Sequence, residues 1–215
     1  HCAEIAAASC TGQTSLLVQV GEAYAGYLCV ADGVRDSSRA ALAGLRAQGI
    51  ERLVMLTGDS AGAAGQIAGA LGIDDVRAEL LPHEKAEAIR AMQISHGPVA
   101  MVGDGINDAV ALAAADVGIA LGVGAAQANE VAGVTLMGGD LRRLPDAVAL
   151  AKTALRAVRA NVAFSIVVKL LVFGLVLVGY GTMWLAVLAD VGTTLLVTLN
   201  GMRLLSWKAK EARSA

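Results

Sequence analysis

Aromatic side chains are scarce in this 215-residue sequence, with Phe, Trp and Tyr together making up 3% of it. Packing must therefore rest on Ala, Val and Leu rather than on rings. An excess of charge is missing as well: 17 Lys and Arg stand against 19 Asp and Glu, with acids and bases interspersed. That balance offers no electrostatic footprint for nucleic acid, and no nucleic-acid partner is expected. Cysteine is limited to Cys2, Cys10 and Cys29, without a CxxC pair or a neighbouring His cluster. A disulfide framework and a finger-type zinc site are excluded, and the three thiols read as small apolar residues in a reducing compartment. No secretory signal pattern is visible. The sequence opens on His1 rather than Met, so a piece of a longer protein is expected.

Apolar residues are abundant. They form 56% of the sequence, and the mean hydropathy of +0.61 exceeds that of an ordinary soluble domain. The sequence divides near Asn161. Before it, short apolar segments alternate with amphipathic ones. Strands are predicted at Ser15–Val20, Ala25–Ala31, Arg52–Leu56, Val76–Ala78, Val99–Val102, Val117–Ala120 and Val134–Leu136. Helices are predicted at Ser37–Gln48, Gly62–Leu71, His83–Ser95 and Asp108–Ala115. Apolar strands alternating with helices call for a parallel sheet covered on both faces, with a site at the carboxyl ends of the strands. Both sharp polar motifs, Thr57-Gly58-Asp59 and Gly103–Asp108, sit at such ends.

The second motif follows the apolar segment Met101-Val102. A glycine-flanked Asp104 is delivered to a loop that opens a helix, with Asn107 and Asp108 next. Glycine lets a backbone approach a ligand closely, and two carboxylates four positions apart suit Mg²⁺. The bland alternative is an Asp-Gly turn followed by capping Asn and Asp. Thr57-Gly58-Asp59 can hold a phosphate oxygen through its hydroxyl and backbone N–H groups, or Asp59 can simply cap the next helix. Lys85 is either a surface lysine or the point charge that neutralises a transferring phosphoryl group.

After Asn161, Val162–Val178 is apolar apart from Ser165 and Lys169, and Met183–Leu205 is interrupted by Asp190 and Asn200. Each stretch can cross ~30 Å of hydrocarbon as a helix. Arg142, Arg143, Lys152, Arg156 and Arg159 precede the pair, and Arg203, Lys208, Lys210 and Arg213 follow it. By the positive-inside rule both flanks are cytoplasmic, with the Tyr180 turn outside and Trp184 as an interfacial anchor. Counted from Gly181, Lys169 lies ~18 Å back and Asp190 ~14 Å forward, which sets two charges near mid-bilayer. A charge at that depth costs about 2.5–3.5 kcal/mol on insertion scales, so a function is expected of it. The two can pair, and a cation can open the pair by taking the carboxylate. A purely structural ion pair is the alternative.

The motif set resembles the P-type ATPases, within the haloacid-dehalogenase fold group. The resemblance rests on Thr57–Asp59, Pro82–Lys85, Gly103–Asp108, Ala31-Asp32-Gly33-Val34-Arg35 and Ala113–Ala120. It implies an α/β, haloacid-dehalogenase-like parallel sheet forming part of a phosphorylation domain, followed by a two-helix transmembrane hairpin. By the same resemblance Thr57 and Lys85, with Gly58 and Asp59, contact an aspartyl phosphate, and Asn107 lies near it. Asp104 ligates Mg²⁺ with Asp108 beside it, and Gly103 and Gly105 let the loop approach the cofactor. ATP is the expected energy source. Asp190-Val191-Gly192 and Lys169 look like the zinc, cadmium and lead subgroup, which makes them the transported-ion site. Asn161 falls where that family has an asparagine.

Two positions depart from the pattern: Val110 stands where the family has proline, and Gly124-Ala125-Ala126 replaces Gly-Thr-Asp. The nucleophilic Asp-Lys-Thr-Gly-Thr strand does not occur in the sequence. The expected organisation is a remnant of a nucleotide-binding domain at 1–24, a partial phosphorylation domain at 25–145, a cytoplasmic linker helix at 146–160, the hairpin at 161–205 and a cytoplasmic tail at 206–215. The expected whole is an ATP-driven exporter of Zn²⁺, Cd²⁺ or Pb²⁺ in the cell membrane, completed by a missing N-terminal part and inactive as this piece alone. Two other readings stay open. One is a membrane-tethered phosphatase using Asp32 as nucleophile; the other is a non-catalytic remnant.

Overall fold

The computed structural model describes residues 14–21, 23–30, 33–73, 75–104, 107–122 and 130–206. Its contacts divide the chain into two compact units, His1–Leu144 and Pro145–Ala215. In the first unit, β1 (Thr14–Val20) and β2 (Ala23–Val30) form an antiparallel hairpin. Its turn uses Gly21 at φ +64°, a left-handed conformation that glycine adopts without strain.

From residue 36 onwards helices and strands alternate as the apolar pattern predicts. Helix α1 (Asp36–Ala47) buries Ala41 and Leu45. It is followed by β3 (Val54–Leu56), α2 (Ala61–Leu71), β4 (Asp75–Arg77) and α3 (Pro82–His96). Then come β5 (Ala100–Gly103), α4 (Ala109–Ala114), β6 (Val117–Leu121) and β7 (Val134–Leu136). Strand β3 pairs in parallel with β4, and β5, β6 and β7 form a second parallel group in that order. Among the described residues no ladder joins β3 to β5. Both strands nevertheless pack on one cluster, in which Ile89 and Met92 of α3 and Ala111 of α4 meet Val54, Leu56, Val99 and Met101. The predicted sheet is therefore present as two strand groups sharing one apolar core.

Close packing here depends on small residues. A Cβ on Gly118 would stand 2.7 Å from the Leu112 carbonyl oxygen, so the α4 backbone can lie against β6 only because glycine is there. Asp116 ties the same region together. Its carboxylate accepts the Val99 N–H at 2.8 Å and the Gln93 amide at 2.9 Å, which joins the end of α3 to the start of β5. The Val99 N–H and then the Gln93 amide hold the Asp116 carboxyl below its usual range. A depressed folded pKa stabilises the fold above the unfolded value, and that contribution is lost as pH falls through the folded value. Asp116→Asn is therefore expected to flatten the pH dependence of stability below about pH 4. Denaturant midpoints on the acid side would check this, and an unchanged acid slope would refute it.

In the second unit a single helix, α5 (Arg143–Leu177), runs 35 residues without a break. The stretch read as a linker and the first span are continuous, and Pro145 sits in the first turn, where a missing N–H costs nothing. Helix α6 (Met183–Met202) begins at Thr182, whose hydroxyl accepts the Leu185 N–H at 3.2 Å. It ends in a 3₁₀ turn at Arg203–Ser206. A Cβ at Gly181 would meet Val176 Cγ2 at 2.7 Å, so the turn between the helices needs glycine there. Both helices are long and apolar enough to cross a membrane. Leu170, Leu171, Phe173, Leu177, Trp184 and Leu188 are each more than half exposed, as lipid-facing side chains would be.

Candidate phosphoryl and ion sites

Strand β3 delivers Thr57, Gly58 and Asp59 to a tight loop. The Thr57 hydroxyl donates to Asp59 Oδ2 at 2.8 Å and accepts the Asp59 N–H at 3.1 Å. The helix that follows is capped by Ser60, which accepts the Ala63 N–H at 3.4 Å. Asp59 is thus not the cap of α2; its carboxylate is turned back onto Thr57. The loop after β4 stitches onto this one. Glu79 donates its N–H to the Asp59 carbonyl at 2.9 Å, and Leu80 donates to the Thr57 carbonyl at 3.0 Å. Glu79 adopts φ +60°, uncommon for a residue with a side chain, and its carboxylate accepts the Ala61 N–H at 3.4 Å. Gly58 sits beneath this stitch, where a Cβ would come 3.3 Å from the Leu80 carbonyl.

The same loop leads into α3. Pro82 occupies its first turn, and Glu84 accepts the Leu81 N–H at 2.7 Å. Lys85 follows, and its Nζ reaches Asp108 Oδ1 at 2.7 Å with side-chain exposures of only 12% and 16%. Lys85 is therefore not a solvated surface lysine. Asp108 is the N-cap residue of α4 yet makes no side-chain cap; its Oδ1 is held by Lys85 instead. At Gly103 a Cβ would lie 2.8 Å from Asp108 Oδ2, so glycine is what lets the carboxylate fold back against the strand end. Asp104 and Asn107 stand exposed around it, while Gly105 lies outside the described residues.

The donor set fits Mg²⁺. Asp104 and Asp108 offer hard oxygen ligands at a strand end, and Mg²⁺ usually takes one or two carboxylates and completes its shell with water and phosphate oxygens. Among the described residues no group of three His, Cys, Asp or Glu side chains gathers, so a cage of protein ligands alone is absent.

In the second unit Lys169 Nζ and Asp190 Oδ1 stand 3.7 Å apart, each side chain 69% exposed on the flank of the hairpin. The two charges predicted to share a depth are thus paired across neighbouring helices. Farther along, Asn200 Nδ2 donates to Asn161 Oδ1 at 2.7 Å and Asn161 Nδ2 to the Val197 carbonyl at 3.4 Å.

Several of these contributors escape a reading of motifs. Glu79 acts through its backbone conformation, which no motif marks. Gln93 and Asp116 meet only in three dimensions, and Asn200 gains meaning only from Asn161 opposite. Asp32, Cys2, Cys10 and Gly124-Ala125-Ala126 lie outside the described residues.

Residues 4–116 match the haloacid dehalogenase-like hydrolases. A probable cadmium-transporting ATPase of Alkalihalophilus pseudofirmus is 46% identical over 198 residues, covering 92% of this chain and 27% of that protein. A cadmium/zinc-transporting ATPase of Arabidopsis thaliana is 48% identical over 202 residues, covering 93% of this chain and 21% of that protein. The crystal structure of a zinc-transporting PIB-type ATPase in the E2·Pi state superimposes with a TM-score of 0.82 at 40% identity, covering 95% of this chain and 33% of that one. The chain thus spans about a quarter of the length of such curated relatives.

Proposed function

This chain belongs to the haloacid dehalogenase-like hydrolase family, and from that premise we propose that it is part of an ATP-driven exporter of a divalent metal ion, Zn²⁺ or Cd²⁺ foremost. One observation carries the reading. A shielded Lys85–Asp108 pair at the strand ends and a Lys169–Asp190 pair on an apolar hairpin occur in the same chain. Relatives named for cadmium or zinc transport, similar over more than nine-tenths of the chain, support it.

In this reading residues 25–145 are the phosphorylation domain and lie in the cytoplasm with the termini of the hairpin. The nucleophilic aspartate comes from a strand outside this sequence, seated between β3 and β5. The two strand groups that share the Ile89–Met92–Ala111 core without pairing leave the place for it. This chain alone does not hydrolyse ATP. Thr57 and the Gly58 and Asp59 N–H groups hold phosphoryl oxygens, which requires the Thr57 hydroxyl to turn from Asp59. Lys85, held by Asp108, sets its ammonium against the transferring group, and Asn107 donates beside it. Phosphoryl transfer demands mainly positioning and charge neutralisation, which these groups supply. Mg²⁺ bound at Asp104 and Asp108 would add a second positive centre at the phosphoryl oxygens. In the membrane, Asp190 is the ligand for the exported ion and Lys169 the resident counter-charge that takes its place when the ion leaves. Carboxylate oxygen binds Zn²⁺ readily, which suits that role.

The test is transport by the full-length protein in sealed proteoliposomes. Zn²⁺ or Cd²⁺ is expected to stimulate Mg²⁺-dependent ATP hydrolysis and to accumulate inside. Hydrolysis indifferent to both ions would overturn the reading.

A further inference from the structure

A second polar contact crosses the apolar seam of the hairpin, and the transport site does not use it. Asn161 Oδ1 accepts from Asn200 Nδ2 at 2.7 Å, and Asn161 Nδ2 donates to the Val197 carbonyl at 3.4 Å. The Asn161 side chain is thereby satisfied on both its oxygen and its nitrogen by α6 alone. Asn161 and Asn200 are both only partly accessible, and Phe164, Leu196 and Val197 line the small groove around them. Ser165, one turn on, spends its hydroxyl on the Asn161 carbonyl at 2.9 Å within its own helix. The other less exposed residues of the two helices include Val168, Val172, Leu185, Ala189 and Gly192, with Thr193 the most buried of α6.

We propose that Asn161 and Asn200 form a register lock: positioning residues that hold α5 and α6 in the one alignment placing Lys169 opposite Asp190. Asn161 lies eight residues from Lys169 and Asn200 ten from Asp190, so the lock acts ~12–15 Å from the charge pair. A slip of one helical turn shifts one helix by ~5.4 Å, which would break a 3.7 Å ion pair and leave both Asn161 amide atoms without their α6 partners. Van der Waals packing of small and aliphatic side chains discriminates weakly between registers. A single half-buried amide pair discriminates more strongly, since its loss leaves polar atoms in an apolar seam.

The functional arm of the test rests on the transport reading, and the geometric arm does not. In the full-length protein with every native cysteine replaced by serine, Lys169→Cys is combined with Ala186→Cys, Asp190→Cys or Thr194→Cys. These sites sample three registers one turn apart, and with both asparagines intact the 169–190 pair should dominate disulfide formation. Asn161→Ala or Asn200→Ala should spread the yield to the 186 or 194 partner. An unchanged pattern would overturn the lock. In the unmodified background, Asn161→Ala and Asn200→Ala should each raise half-saturating Zn²⁺ about fivefold, the ratio set by one interhelical hydrogen bond in a membrane. The double variant should be no worse than either single one, with maximal turnover per folded pump retained. Lower turnover at constant half-saturation would mark a merely structural contact and overturn the positioning role. If Zn²⁺ fails to stimulate the parent protein, the transport reading falls and the disulfide pattern alone judges the lock.

Discussion

Asp190→Ala in the full-length protein is expected, on the transport reading, to abolish protection of a metal-sensitive host against Zn²⁺ and Cd²⁺ and to remove metal-stimulated ATP hydrolysis. Two losses add. On the transport reading the ion loses a carboxylate ligand, and Lys169 is left as an unpaired ammonium, 3.7 Å from where its counter-charge stood. An ammonium left alone at mid-bilayer costs about 2.5–3.5 kcal/mol on insertion scales, or roughly 70- to 400-fold in an equilibrium that depends on it. The double variant Lys169→Ala/Asp190→Ala separates site from scaffold. If the pair only fixes helix packing, removing both charges should restore activity, because no lone charge is left in the membrane. If Asp190 is the ion ligand, the double variant should stay inactive. Host growth across a metal series, with the membrane content of each variant measured, decides the matter. Full protection by Asp190→Ala would refute the ion site.

Lys85→Ala should cost about 100- to 1,000-fold in phosphoryl turnover, the usual effect of removing one preorganised group that stabilises developing charge. The pair with Asp108 is largely withdrawn from solvent, at 12% and 16% side-chain exposure, so the substitution also leaves a shielded carboxylate alone. Stability and chemistry must therefore be read separately. Asp108→Asn keeps the shape while removing the charge that holds Lys85. Thermal unfolding of each variant reports the fold, and the formation and decay of the phosphorylated protein report the chemistry. A Lys85→Ala protein that melts lower but turns over normally would reduce Lys85 to a packing residue. Lys85→Arg is expected to recover folding more than turnover, since a planar guanidinium does not reproduce a compact ammonium.

Much of this was legible in the residues themselves. The apolar runs at Val99–Val102 and Val117–Ala120 could only be buried strands, and the structure has β5 and β6 there within a residue of the predicted bounds. Boundaries moved where local signals compete. The strand expected from Arg52 pairs with β4 only from Val54, opposite Asp75, while the Arg52 guanidinium meets the Asp75 carboxylate at 3.3 Å. Asp59 and Asp108 carry equal capping propensity on paper. Neither side chain caps a helix, because a competing partner stands nearby: Thr57 in one case, Lys85 from another helix in the other. Propensity is a local quantity, and the competing partners were 2 and 23 positions away.

The sequence by itself determined the alternation of strands and helices, the strand-end positions of Thr57 and Asp104, and the two apolar spans with one charge in each. These follow from periodicity, hydropathy and turn chemistry, all properties of neighbouring residues. Only the tertiary structure decided that Lys85 grips Asp108, that Glu79 clasps the Thr57 loop from a left-handed turn, and that Asn161 meets Asn200 across the seam. Each joins residues far apart in the chain or rests on a backbone angle that no composition encodes. Their geometry is set by the packing of whole elements on the Ile89–Met92–Ala111 core or along the facing helices.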